Sequence, residues 1–305
     1  MRGKRVLISV QVAVLLLGMF ACQPATRSTN KSIVVTYSVL GSIVKELVAG
    51  QATVIVSIPN GLDPHEWEPS AKDIEAINKA DLVIENGLGL EGGMEKTLAA
   101  AKKAGVKFFT ASDHITVRHV GPGEGIPSGD PDQVLGAPDP HLWMDPVSVK
   151  SVVTALATTL MQDLNLDVSS QATDLGNRLD SLNTKVANII DQIPVDNRKL
   201  VTGHESMGYF AQRYNLKLVG VIIPSLSSQA DVSAADLAAL KKAIQDAQVK
   251  AVFAEVGTSP ATAKAIASES GVKVIELTTH ALPADGSYFT FMRNIATVIA
   301  DALSR

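Results

Sequence analysis

The chain has 305 residues, of which 46% are hydrophobic and 19% are charged. This apolar content excludes an intrinsically disordered chain, and the single cysteine, Cys22, excludes a small disulfide-stapled domain. The formal net charge is −4 and aromatic residues make up only 4% of the chain, so no nucleic-acid-binding surface is indicated. The length is typical of about two domains.

Residues 1–22 have the pattern of a targeting segment. Arg2, Lys4 and Arg5 precede a nearly continuous apolar run over residues 6–21. This run is shorter than the about 20 apolar residues that a transmembrane helix needs. The pattern therefore favours a secretory signal peptide, and an uncleaved N-terminal anchor is the alternative.

Cys22 ends the sequence Met19-Phe20-Ala21-Cys22, which resembles the cleavage box of bacterial lipoproteins, where the cysteine is acylated. That box usually has leucine where Met19 stands and a smaller residue than Phe20. Ordinary cleavage nearby is the alternative, but no good A-x-A site is present. We therefore expect lipidation of Cys22, a polar tether over residues 23–31, and an extracytoplasmic body anchored to the membrane by lipid.

Apolar strand patterns alternate with helix patterns after the tether, which indicates parallel sheets covered on both faces. Residues 169–193 differ, because they carry one apolar stripe on a long helix before Pro194. The stripe consists of Leu175, Leu179, Leu182, Val186 and Ile189, spaced 4, 3, 4 and 3. The sequence predicts an α/β fold of two βα lobes, 32–166 and 194–305, joined by one connecting helix over 167–193. The predicted strands are residues 32–39, 52–58, 81–85, 106–110, 199–202, 217–223, 251–255 and 272–277.

Four of the six histidines follow a strand pattern or a turn signal, namely His65, His141, His204 and His280. Ligands of open α/β sheets bind at the carboxyl ends of strands. His65 and His141 share the phrase Asp-Pro-His-x-Trp, and the two phrases contain the only two tryptophans of the chain. The proline fixes the backbone before the imidazole, and a nearby aspartate can orient the ring. A single histidine is more often a surface or core residue than a metal ligand, and this repetition favours the ligand role.

Three stretches resemble the metal-binding solute-binding proteins of zinc and manganese ABC importers. They read LDPHEWEPS at 62–70, DPHLWMDP at 139–146 and VTGHESMGYF at 201–210. The resemblance implies two βα lobes joined by a long helix, with one divalent ion bound between them. It also implies delivery of the ion to an ABC permease with its ATPase, and we expect a monomer. The ligands that it implies are His65, His141 and His204.

The fourth ligand position departs from the pattern of this family. The family has Asp or Glu in a Thr-Asp-Ser-Leu-like stretch after the last strand, whereas this chain reads THAL at 279–282. We predict that His280 is the fourth ligand, and Asp285, Glu276 or water are the alternatives.

Three carboxylates are expected around the ligands rather than on the ion, namely Glu255, Asp63 and Asp145. Glu255 matches a family glutamate at this strand end, and acidic neighbours would compensate an ion held by neutral imidazoles. Imidazole suits Zn, Cu, Ni and Fe, whereas Mn prefers oxygen ligands. We therefore predict one tetrahedral Zn²⁺, with Mn²⁺ less favoured, and binding that collapses below about pH 6 as the ligands are protonated.

Competing functions have weaker signatures. Residues 87–92 read GLGLEG, which formally matches a dinucleotide-binding GxGxxG, but the motif follows the third strand and Glu91 would repel a pyrophosphate. A zinc hydrolase of the HExxH type is also weak, because Pro69 and Gly208 replace the second histidine after His65-Glu66 and His204-Glu205. An adhesion lipoprotein would leave no readable signature.

His114 and His119 lie near a Gly/Pro-rich segment that we interpret as a solvated loop, with a weak auxiliary metal site as the alternative.

Overall fold

Eight β-strands and nine α-helices alternate along the residues that the structure, a computed structural model, describes, which are 31–121, 124 and 135–304. The strands are β1 (Lys31–Tyr37), β2 (Ala52–Ile58), β3 (Leu82–Glu85), β4 (Phe108–Thr110), β5 (Lys199–Thr202), β6 (Lys217–Val221), β7 (Ala251–Ala254) and β8 (Lys273–Glu276). The helices are α1 (Ser38–Val48), α2 (Ala71–Lys79), α3 (Glu95–Lys103), α4 (Pro146–Leu164), α5 (Ser169–Ile190), α6 (Gly208–Arg213), α7 (Ala234–Ala247), α8 (Pro260–Ser270) and α9 (Tyr288–Leu303).

The N-terminal lobe is built on a parallel sheet with the strand order β2-β1-β3-β4. The central strand β1 is covered on both faces, which is why Ile33, Val34 and Val35 follow one another and are all fully buried. β1 begins at Lys31, which pairs with Ala52, one residue before the predicted strand. The predicted signal peptide and Cys22 lie outside the described residues.

The C-terminal lobe has two separate two-stranded parallel ladders, β5 with β6 and β7 with β8. A second buried apolar cluster, including Val201, Leu240 and Val252, packs these strands against α7 and α8. The predicted α/β class with two βα lobes is confirmed. The strand pattern alone did not indicate that the sheet of this lobe divides into two ladders.

Helix α5 connects the lobes and packs against α1, α4 and α9. Its apolar stripe is buried at Leu175, Leu179, Leu182 and Val186, as the spacing predicted. Toward the end of the helix, Ile190 is the fully buried residue and the predicted Ile189 is only partly buried. The helix therefore ties the N-terminal lobe to α9, the last helix of the chain. Among the described residues, no helix combines the length and the apolar character that crossing a membrane requires.

Candidate metal centre

Four buried imidazole rings meet where the two lobes face each other. They belong to His65, His141, His204 and His280, and one ring nitrogen of each lies within 4.8 Å of the others. The N-terminal lobe supplies His65, which follows β2, and His141, which precedes α4. The C-terminal lobe supplies His204 after β5 and His280 after β8. The four histidines singled out in the sequence are therefore brought together, two from each lobe.

Two distances between ring nitrogens match those between ligands around one small cation. Nε2 of His141 lies 3.3 Å from Nε2 of His65 and 3.2 Å from Nε2 of His204. Nitrogens placed tetrahedrally at about 2.0–2.1 Å from an ion are about 3.3–3.4 Å apart. Nε2 of His280 is buried, and within the described part of the chain it has no hydrogen-bond partner. One ring nitrogen of each of the four histidines therefore lies in the same small buried volume.

Asp139 fixes the orientation of His141. Its Oδ1 accepts the backbone N–H of His141 at 2.9 Å and lies 2.9 Å from the ring Nδ1. A carboxylate only accepts, so Nδ1 carries the proton and Nε2 presents its lone pair to the centre. Burial raises the pKa of Asp139 to about 6. The positive charge of the Arg118 guanidinium, 3.0 Å away, opposes this rise. Sequence reasoning did not include Asp139 among the three carboxylates, although it named the Asp-Pro-His phrase that contains it.

Asp63 acts on the backbone of the equivalent phrase rather than on the ring. Its Oδ1 accepts the backbone N–H of His65 at 2.9 Å, and its Oδ2 accepts the hydroxyl of Ser228 at 2.6 Å. Ser228 lies after β6, so this bond also joins the two lobes. Asp63 therefore holds the loop that carries His65.

Glu255 lies beside the two histidines of the C-terminal lobe. Its Oε2 is 3.7 Å from Nδ1 of His204 and accepts the hydroxyl of Thr279 at 2.6 Å. Thr279 Oγ1 also lies 2.9 Å from Nδ1 of His280. The hydroxyl has one proton, so when it donates to ionised Glu255 it accepts from Nδ1 of His280. Nε2 of His280 is then left as the free lone pair.

The carboxylate of Glu255 is itself supported by donors from its own lobe. The backbone N–H of Gly203 donates to Oε1 at 2.9 Å, and the hydroxyl of Ser206 donates to Oε2. Burial raises the pKa of Glu255 to about 7, and these donors oppose the shift. A dication nearby would stabilise the ionised form further.

Asp145 does not serve the histidines, contrary to the expectation. Its oxygens accept the backbone N–H groups of Val147 and Ser148 at the start of α4, and pair with Arg213 at 2.7 Å. The carboxylate is therefore the N-cap of a helix whose first residue is Pro146.

The two carboxylates considered as alternatives to His280 also lie outside the group of four histidines. Glu276 is exposed at the end of β8. Asp285 is exposed and accepts hydrogen bonds from Ser287 and Thr290 at the start of α9. The structure thus brings the histidine, and neither carboxylate, to the fourth position.

The histidines and glycines of the competing interpretations have other surroundings. His114 stacks on Phe109 with ring centroids 4.5 Å apart, and Nδ1 of His119 lies 3.1 Å from the carbonyl oxygen of Val117. In the GLGLEG segment the carboxylate of Glu91 accepts the backbone N–H groups of Asn86 and Gly87. The donors that would bind a pyrophosphate are therefore already used by a buried side chain.

Burial lowers the pKa of all four clustered imidazoles. The pKa values of His141 and His204 fall well below the ordinary value, and that of His280 falls to about 4. Burial also lowers the pKa of His65, against the opposing charges of Asp63 and Asp139. The rings are therefore neutral at pH 7 and their lone pairs are available to a metal.

Comparison with known proteins agrees with this site. Residues 33–302 match the family model described as "ZnuA: Zinc-uptake complex component A periplasmic". The chain belongs to this family. Its members are substrate-binding components of metal transporters and not enzymes.

The relatives include binding proteins for two different metals. The chain is 29% identical to the high-affinity zinc uptake system protein ZnuA of Bacillus subtilis over 251 residues, which covers 81% of this chain and 77% of that protein. It is 24% identical to the manganese ABC transporter substrate-binding lipoprotein PsaA of Streptococcus pneumoniae, with 95% of this chain and 96% of that protein covered. A crystal structure of ZnuA is 26% identical and superposes with a TM-score of 0.75, covering 90% of this chain and all of the other. Membership of the family therefore establishes that the chain binds a divalent metal. It does not distinguish zinc from manganese, and the chemistry of the ligands must decide between them.

The lowered pKa of His280 predicts a pH-dependent stability of the metal-free protein. Between about pH 6.5 and pH 4 the unfolded chain binds a proton on this imidazole and the folded chain does not, so lowering the pH favours unfolding. From pH 7.5 to pH 5, the free energy of unfolding should fall by about 1–2 kcal/mol more for the wild type than for His280→Gln. Denaturant titrations with a chelator present measure this difference. The exposed His119→Gln is the control, and parallel curves for wild type and His280→Gln would contradict the prediction.

Proposed function

We propose that this protein is an extracytoplasmic zinc-binding protein that captures one Zn²⁺ and delivers it to an ABC permease. The observation that carries the proposal is the set of four buried ring nitrogens within 4.8 Å of one another, two of whose separations, 3.2 and 3.3 Å, are those of tetrahedral ligands. The proposed ligands are His65, His141, His204 and His280. Because one chain supplies all four, a single copy completes the site and a monomer suffices.

The chemistry of the ligand set favours zinc over manganese. Imidazole nitrogen is a preferred ligand of Zn²⁺, whereas Mn²⁺ is better served by carboxylate, carbonyl and water oxygens. The four rings are neutral. Asp139 lies 2.9 Å from Nδ1 of His141 and Glu255 lies 3.7 Å from Nδ1 of His204, on the far side of each ring from the clustered nitrogens. Their two negative charges match the two positive charges of the ion without binding it directly.

Hydrogen bonds join the two lobes at residues that flank His280, whereas His65 lies nearer to solvent. This difference indicates where the ion enters and leaves. The indole N–H of Trp143 donates to the carbonyl oxygen of Thr279 at 3.0 Å, and the side chain of Asn60 exchanges two hydrogen bonds with the backbone of Leu282. His65 also lines a surface cavity of about 130 Å³ at the edge of the site. We infer that ligand exchange begins at His65, because it is the clustered ring nearest to solvent, 6% exposed.

Zinc and manganese titrations of the purified protein test the proposed function. We expect one Zn²⁺ per chain and much weaker binding of Mn²⁺. His204→Ala removes a ligand, so it should weaken zinc binding by more than the about 10–100-fold that loss of an outer partner costs. His119→Ala, which removes an exposed imidazole outside the cluster, should leave zinc affinity unchanged.

One further variant tests the choice of metal at the fourth position. His280→Asp replaces nitrogen with oxygen, so the preference for Zn²⁺ over Mn²⁺ should narrow. Tighter binding of Mn²⁺ than of Zn²⁺ by the unsubstituted protein would contradict the proposal. So would an unchanged zinc affinity of His204→Ala.

We also propose that Cys22 is acylated and holds the protein at the outer face of the membrane. The support is its position directly after the apolar leader, and the lipoprotein names of relatives such as PsaA. Metabolic labelling with a radioactive fatty acid should mark the wild type, and Cys22→Ala should be unlabelled and released from the membrane fraction. Equal labelling of both would contradict this assignment.

A further inference from the structure

We propose that segment 86–93, which reads NGLGLEGG, positions both metal ligands of the N-terminal lobe, with Glu91 as its internal anchor. The segment follows β3 and touches the loop of His65 at one end and the loop of His141 at the other. The inference rests on the proposed function, because it concerns how these histidines are held for zinc.

Glu91 gives the segment its shape. Its Oε1 accepts the hydroxyl of Thr36 and the backbone N–H of Asn86, both at 2.7 Å, and its Oε2 lies 3.4 Å from the backbone nitrogen of Gly87. The side chain is only 5% exposed. Burying a carboxylate is costly unless hydrogen-bond donors compensate for the lost water. Here the donors belong to the turn and to β1. The carboxylate thus ties the end of the turn back to its beginning.

Asn86 connects this turn to His141. Its Nδ2 donates to the carbonyl oxygen of Pro140 at 2.8 Å, and its Oδ1 accepts the hydroxyl of Tyr37 at 3.2 Å. Pro140 directly precedes His141, so the bond fixes the backbone from which that imidazole projects. Asn86 is fully buried, and its hydrogen bonds therefore face no competition from water.

Two glycines connect the other end of the segment to His65. A Cβ on Gly92 would lie 2.8 Å from the carbonyl oxygen of His65, and a Cβ on Gly93 would lie 2.3 Å from that of Trp67. Both distances are too short for non-bonded atoms, and in each case the obstacle is backbone, which cannot rotate away. The absence of side chains here lets the segment pack directly against the loop that carries His65.

A double-mutant cycle for zinc affinity separates positioning from general destabilisation. Gly93→Ala displaces the His65 loop, so it should weaken zinc binding about 10–100-fold, as loss of an outer partner does. In a His65→Ala background there is no ring left to misplace, and the same substitution should change the affinity less than about threefold. Asn86→Ala should behave in the same way with His141→Ala, and it decides the question if Gly93→Ala does not fold.

Gly176→Ala on α5 is the matched control, because its added methyl meets only the side chain of Lys150 at an ordinary 3.6 Å. It should leave zinc affinity unchanged. The proposal would be overturned if a substitution in the segment weakened zinc binding equally in the wild type and in the variant that lacks the corresponding histidine. Its effect would then not depend on the position of that ligand. Wild-type zinc affinity in both Gly93→Ala and Asn86→Ala would overturn this positioning role and leave the proposed function standing. Failure of the unsubstituted protein to bind zinc would overturn the proposed function as well.

Discussion

The structure depends on holding four neutral imidazoles against one another away from water. Each ring has one nitrogen directed toward the centre, so its other nitrogen or its backbone must be fixed from outside. Asp139 does this for His141, and Thr279 does it for His280. The orienting groups are buried too, which means that they require partners of their own. The site is therefore the innermost layer of a hydrogen-bonded network that reaches into both lobes.

Charge explains why this network contains two buried carboxylates. Four neutral ligands leave the charge of a dication uncompensated, and in a medium of low polarity that charge is costly. Asp139 and Glu255 stand on opposite lobes, each next to one or two of the rings. Without a metal, burial raises the pKa of Asp139 to about 6 and that of Glu255 to about 7, and a bound cation would reverse both shifts. Arg118 pairs with both Asp139 and Glu124, so its own charge is balanced nearby.

The sequence was sufficient to predict the α/β class and the long helix, because these depend on hydrophobic periodicity. The convergence of His65, His141 and His204 was implied by the resemblance of three stretches to a known family, and His280 was predicted at the position where that family has a carboxylate. The sequence was not sufficient where one dipeptide has two uses. Asp-Pro occurs at Asp63, Asp130, Asp139 and Asp145, and of the three of these aspartates that the structure describes, which exclude Asp130, only Asp145 caps a helix. Which of these carboxylates meets an imidazole depends on the chain direction after the proline, which the local pattern does not contain. The role of Glu91 was hidden for a similar reason, since its partners Thr36 and Asn86 come from two different strand ends.

The most direct test of the central claim is X-ray absorption spectroscopy at the zinc edge of the zinc-loaded protein. We expect four nitrogen ligands at about 2.0–2.1 Å with the multiple scattering of four imidazole rings. His280→Ala should show the multiple scattering of only three imidazole rings, with an oxygen ligand such as water in the fourth position. A wild-type spectrum with three imidazoles or fewer, or with a carboxylate bound to the ion, would contradict the account.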